Sequence, residues 1–173
     1  MLKKIPTFFY IPRREREEKE IFNEQASLIL PENKDEGELY LGSVQAAKNI
    51  SFLKSNNIKS VLSVGGDHHI FYDKNEIRIK HKILGSLGAT KEEHQHAFLD
   101  SIQFISKQRK EGAVLVHCGK GVQRSPVIII AYIMYTQQIS YEDAHSFVLN
   151  KRKVRPLQFF DSNYWNFLKI ENK

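Results

Sequence analysis

The sequence predicts an α/β fold: a single domain with a central, mostly parallel sheet flanked by helices, and a helical C-terminal half. Short strand-like stretches, Lys59–Val64 and the unbroken apolar run Ala113–Val116, alternate with stretches of helical spacing, the pattern of βαβ units. Everything from Pro126 onward carries helix-type patterns only. The 173 residues, 41% hydrophobic and 27% charged, suit one globular unit with a real core.

Taken in order, residues 1–26 read as a charged N-terminal arm, because Arg13 to Glu20 mixes both signs and offers no apolar face. The domain is expected over 27–173. Ser27–Leu30, a turn-rich stretch from Pro31 to Gly37, and Glu38–Gly42 form a hairpin pattern. Ser43 caps a predicted helix with Val44, Ala47, Ile50 and Leu53 on one side, ending at Asn56 and Asn57. Lys59–Val64 is a strand closed by Gly65 and Gly66, and Glu76–Leu84 alternates like a strand near a sheet edge. After the loop 85–90, Phe98, Ile102 and Ile105 mark a helix that stops at Gly112. Ala113–Val116 is a strand buried on both faces. Pro126 opens a buried helix, Ser140 and Asp143 start another that Pro156 halts, and Phe159, Phe160, Trp165, Phe167 and Leu168 make a last helix against the core.

The longest apolar run, Val127–Tyr135, is half of what a spanning helix needs, so membrane insertion is not expected. No signal peptide or lipidation motif is read, and the expected location is the cytoplasm, with the nucleus also open. Subtracting 20 acidic from 26 basic residues leaves +6, which favours anionic partners. The strongest basic cluster, Lys151, Arg152, Lys153 and Arg155, closes a helix and serves its dipole, so no nucleic acid is expected. Cys118 is the sole cysteine, which rules out an intrachain disulfide and a thiolate zinc cluster; His68, His69, His94 and His96 read as surface or loop histidines. No metal or cofactor is called for.

The chemistry lies between the buried strand and the buried helix, in His117-Cys118-Gly119-Lys120-Gly121-Val122-Gln123-Arg124-Ser125-Pro126. A loop running from a strand tip into a helix N-terminus gathers backbone N–H groups, and the helix dipole adds positive potential. Gly119 and Gly121 permit the tight curvature of such a nest. The amides of Gly119, Lys120, Gly121, Val122 and Gln123 form the expected phosphate cradle, and Arg124 closes it with a planar fork matched to phosphate oxygens. A thiol in that field ionises near neutral pH and becomes a nucleophile facing the anion. The loop is not a Walker A, because Gly121 stands where Ser or Thr must be. It also lacks the third glycine of a dinucleotide fingerprint.

His117-Cys118-x-x-Gly121-x-x-Arg124-Ser125 resembles the active-site loop of the protein tyrosine phosphatases, and the short chain is similar to their dual-specificity branch. Leu39–Gly42, Val61–Val64 and Ala131–Met134 resemble further landmarks, so the likeness covers about Ser27 to Ile170. The resemblance implies a phosphorylated protein substrate and a two-step reaction through a cysteinyl phosphate. Cys118 is then the nucleophile, Arg124 binds the transferring phosphoryl group, His117 orients the loop and Ser125 assists departure of the sulfur.

The resemblance also implies an Asp general acid about 30 residues before the cysteine, and here the chain departs from it. Residues 83–96 contain no Asp; Asp100 and Asp73 lie 18 and 45 residues upstream of Cys118. The substitutes are Glu92, Glu93 or His94 on a shifted loop, or Asp100, or no acid at all. Without an acid, aryl esters should suffer least, since a phenol leaves at pKa about 10 and an alkoxide nearer 15.7. The expectation is a phosphatase preferring phosphotyrosine over phosphoserine and phosphothreonine. The rival readings are a pseudophosphatase that binds phosphorylated partners without turnover, and a phosphatase acting on a phosphoinositide or an RNA 5′ phosphate.

Overall fold

The computed structural model describes residues 25–66, 70, 72–73, 76–82, 90–156 and 162–169. Among the described residues one sheet of five strands forms: β1 (Ala26–Leu30), β2 (Leu39–Ser43), β3 (Ile58–Val64), β4 (Arg78–Lys82) and β5 (Ala113–Cys118), in the order β1-β2-β5-β3-β4. β1 pairs antiparallel with β2, and every other pairing is parallel, as the sequence predicts. β1 begins at Ala26, inside the stretch assigned to the arm; the rest of that arm lies outside the described residues, apart from Gln25.

The connections place helices on both faces. α1 (Val44–Lys48) and α2 (Ile50–Ser55) cover one, where Ala46, Ala47 and Leu53 bury against Tyr40, Val61 and Leu115. On the other lie α3 (Lys91–Arg109), α4 (Arg124–Gln137) and α5 (Tyr141–Lys151), with a 3₁₀ helix over Ser162–Leu168. There Phe98, Ile102, Ile105, Ile129 and Tyr132 pack on Leu41, Leu62, Val114 and Val116. Because β5 is central and alternates its side chains, Leu115 faces the first layer while Val116 and Cys118 face the second. No helix among the described residues is long and apolar enough to cross a membrane.

Four expectations need correction. The helix predicted after Ser43 is two helices, broken at Asn49, whose side-chain oxygen accepts from the Phe52 N–H and starts α2; Ile50 is consequently exposed. α3 begins at Lys91, directly after the expected loop 85–90, where Thr90 and Glu93 form a reciprocal capping box. α5 ends at Lys151 rather than at Pro156. The last helix is 3₁₀, and its predicted Phe159 and Phe160 lie outside the described residues. Among the histidines, His94 is buried on α3 and His96 exposed; His68 and His69 lie outside the described residues.

Candidate active site

All four parallel strands end at one edge of the sheet, the edge where open α/β folds bind ligands. Cys118 is the last residue of β5, paired with Ser43 at the end of β2, and His117 lies between Gly42 and Ser63. Residues 119–123 then turn into α4, whose first residue is Arg124. Gly121 takes a left-handed φ of 69°, and its bare Cα packs on the β2 backbone: a Cβ there would strike the Gly42 carbonyl. The Val44 N–H also donates to the Gly119 carbonyl at 3.1 Å, tying the loop to the start of α1.

α4 has no side-chain cap and no acidic residue in its first turn, so its leading N–H groups are offered to an anion. The Cys118 Sγ accepts from the Gly121 N–H at 3.2 Å and from the Ser125 hydroxyl at 3.2 Å. Burial pushes the thiol pKa up, but the Ser125 hydroxyl and N–H, the Arg124 guanidinium and the Gly121 N–H together pull harder. The thiol ends below its ordinary value. His117 is fully buried beneath the loop, its Nδ1 3.3 Å from the Cys118 carbonyl oxygen. Gly119, Lys120, Gln123 and Arg124 are half-buried, at the mouth of the cradle, while Val122 and Ser125 line its buried side. The residues singled out from sequence in 117–125 are thus brought together at one point.

The proposed acids are not. Glu93 is held in its capping box, its carboxylate accepting the Thr90 N–H at 2.6 Å. Asp100 lies about 15 Å further along α3 from Thr90 at 1.5 Å per residue, where Lys80 of β4 binds it at 2.7 Å. His94 is buried, and burial holds its imidazole below the usual value. Glu92 is exposed in the first turn of α3, at the same sheet edge as the cradle, where its charge raises the Tyr164 hydroxyl after burial has done most of that work.

Two residues of the site escape the motif. Gly65, just past β3 with φ 75°, lies against Arg124: a Cβ there would stand 2.8 Å from the arginine Cδ and collide with Nη1. Arg152, read from sequence as part of a basic cluster that closes a helix, is 3% exposed and donates to the Gly121 carbonyl at 3.1 Å and the Lys120 carbonyl at 3.3 Å. A signal for it exists. Ala144 and Val148 are core residues of α5, and Arg152, the C-cap whose N–H donates to the Val148 carbonyl, follows at the same interval of four, which points to the inward side.

A buried thiol at the foot of a helix without a side-chain cap, ringed by backbone donors and an arginine, makes an anion-binding site with a nucleophile in it on an α/β scaffold. The chain belongs to the dual specificity phosphatase catalytic domain family, whose model matches residues 39–170. It is 34% identical over 123 residues to dual specificity protein phosphatase 5 of Rattus norvegicus, a match covering 67% of this chain and 30% of that protein. It is 32% identical over 114 residues to MAP kinase phosphatase with leucine-rich repeats protein 1 of Dictyostelium discoideum, covering 66% and 13%. The chain thus spans less than a third of the length of these curated relatives. Among solved structures it is similar to a leucine rich repeat and phosphatase domain containing protein from Entamoeba histolytica, with TM-score 0.58 and 28% identity over 83% of this chain and 88% of that one.

Proposed function

We propose that the chain hydrolyses phosphomonoesters of phosphorylated proteins through a cysteinyl-phosphate intermediate on Cys118, with phosphotyrosine preferred. The observation that carries this is the buried Sγ receiving two hydrogen bonds, from Gly121 and Ser125, at the N-terminus of a helix without a side-chain cap. In the first step the Cys118 thiolate attacks phosphorus and the P–O bond to the substrate breaks, while Arg124 and the loop N–H groups hold the equatorial oxygens. In the second, water attacks phosphorus and the P–S bond breaks. The Ser125 hydroxyl, already 3.2 Å from sulfur, stabilises the departing thiolate. His117 supports the loop from below.

The leaving oxygen needs a proton; Glu93 is held in a cap, Asp100 by Lys80 and His94 is buried, which supports Glu92, exposed in the first turn of α3, or no acid at all, in that role. Weak acid assistance favours the phenol of phosphotyrosine over an alkoxide. The pseudophosphatase reading gains from the absence of Asp in 83–96 and loses from the activated thiol, which pure binding does not require. The phosphoinositide or RNA reading loses one of its four cluster cations, since Arg152 is buried under the loop. We place the protein in the cytoplasm.

The test is hydrolysis of a small aryl phosphate from about pH 5 to 8, beside phosphotyrosyl and phosphothreonyl peptides. Turnover should vanish in Cys118→Ser, and the basic limb should flatten in Glu92→Gln. Equal rates on the two peptides would overturn the tyrosine preference. No wild-type turnover together with Arg124-dependent phosphopeptide binding would establish the binder instead.

A further inference from the structure

We propose that Arg152 is a positioning residue for this reaction: by gripping two carbonyls of the loop from behind, it fixes the direction in which the loop N–H groups face. The inference rests on the phosphatase reading above and adds to it a residue outside the loop motif.

A trans peptide carries its C=O and N–H on opposite sides, and among the described residues no peptide is cis. The Lys120–Gly121 peptide makes the point directly. Its carbonyl accepts from Arg152 Nη2 at 3.3 Å while its N–H donates to the Cys118 Sγ at 3.2 Å. Guanidinium, peptide dipole and thiolate are therefore in series, cation to anion. In the next peptide Arg152 Nε binds the Gly121 carbonyl at 3.1 Å, which turns the Val122 N–H to the far side.

The flanking peptides are held in the same sense. The Val44 N–H takes the Gly119 carbonyl, and the Arg155 N–H takes the Val122 carbonyl at 2.8 Å, which turns the N–H groups of Lys120 and Gln123 the other way. Four consecutive carbonyls are thus held from outside, two of them by one side chain. Convergent N–H groups repel one another until an anion arrives, and a loop with two glycines has other conformations to relax into. An external hold removes that freedom before substrate binds, the preorganisation that electrostatic catalysis needs. The guanidinium is itself fixed, since Nη1 donates to the Ser27 hydroxyl of β1 at 3.2 Å. A lysine cannot reproduce three bonds from one planar fork.

Arg109 provides a matched control. It too is 3% exposed, but its partners are the Gly37 and Pro31 carbonyls, the Tyr132 hydroxyl and Glu36, none of them in the loop. The experiment follows iodoacetamide alkylation of Cys118, the sole cysteine, against pH, and its protection by inorganic phosphate, in the full chain. In Arg152→Met the alkylation midpoint should rise by about one pH unit and phosphate protection should weaken about tenfold, the worth of one charge-assisted hydrogen bond. Arg152→Lys keeps the charge, loses the fork, and should fall between. Arg109→Met should lower the melting temperature and move neither readout.

A wild type with an ordinary thiol midpoint and no phosphate protection would overturn the phosphatase reading itself. A depressed wild-type midpoint that Arg152→Met leaves in place, with phosphate protection intact, would overturn the role of Arg152 alone. If the methionine variant fails to fold, Arg152→Lys and Arg152→Gln decide on the same two readouts, and unchanged values in both refute it.

Discussion

Replacing Gly65 by alanine tests whether the end of β3 sets the place of the phosphate-binding arginine. Two costs arise, and they fall on different observables. The first is conformational: at φ 75° a residue with a Cβ loses about 1 to 2 kcal/mol, or about 2 to 8 °C in melting temperature for a domain this size. The second is steric. The new Cβ would lie 2.8 Å from Arg124 Cδ and 3.1 Å from Cζ, where ordinary carbon contacts need about 3.5 to 4 Å. The arginine side chain is flexible and half-buried, so it can yield by about 1 Å with little further loss of stability. A displacement of that size at a group that orients the reacting phosphoryl costs on the order of 10² in rate. Gly66→Ala separates the two costs. Gly66 also has a left-handed φ, 48°, but a Cβ there meets nothing within 4 Å. Both variants should melt lower by similar amounts, and only Gly65→Ala should lose roughly a hundredfold in kcat/KM on an aryl phosphate. Equal catalytic losses in the two variants, or none in Gly65→Ala, would refute the reasoning.

Other perturbations follow from the same geometry. Ser125→Ala removes a hydroxyl from a buried sulfur anion; a bond to a charged acceptor is worth about 1.5 to 3 kcal/mol, so the acid limb of kcat/KM should move up by about one to two pH units. Because the Cys118 pKa is depressed in the fold, its stabilisation is fully present above the unfolded thiol value, about 8.5, and is lost as pH falls through the folded value. The melting temperature of wild type relative to Cys118→Ser should therefore rise with pH across that window, and a flat difference would contradict a depressed thiol. Thr90→Ala should cost about 1 kcal/mol of stability through the lost cap, with kcat unchanged. Glu93→Gln should likewise keep its basic limb; loss of that limb would make Glu93 the acid after all.

What the sequence made legible, and what it hid, follows from how far apart the partners are along the chain. The loop from His117 to Ser125 is contiguous, so its chemistry reads directly from residue types: glycines where the backbone must turn, a thiol where the donors converge. β5 reads equally well, because it is buried on both faces and its run Ala113–Val116 is wholly apolar, while β3 reads from Val61, Leu62 and Val64 in spite of Ser60 and Ser63. Gly65 and Arg124 are 59 positions apart and meet only because β3 is the sheet neighbour of β5. Arg152 reaches back 31 and 32 residues to the loop and 125 to Ser27. In a Lys-Arg-Lys run its charge argued for the surface, and only its spacing from Val148 and Ala144 argued for the interior. The general acid presents the opposite case. Its absence is a local fact of residues 83–96, but Glu93 belongs to a cap and Asp100 to Lys80, assignments that depend on where α3 begins. With Glu93 in a cap and Asp100 held by Lys80, the proposed reaction is left with Glu92 or with the leaving group's own acidity, and aryl phosphates are the esters that tolerate the latter best.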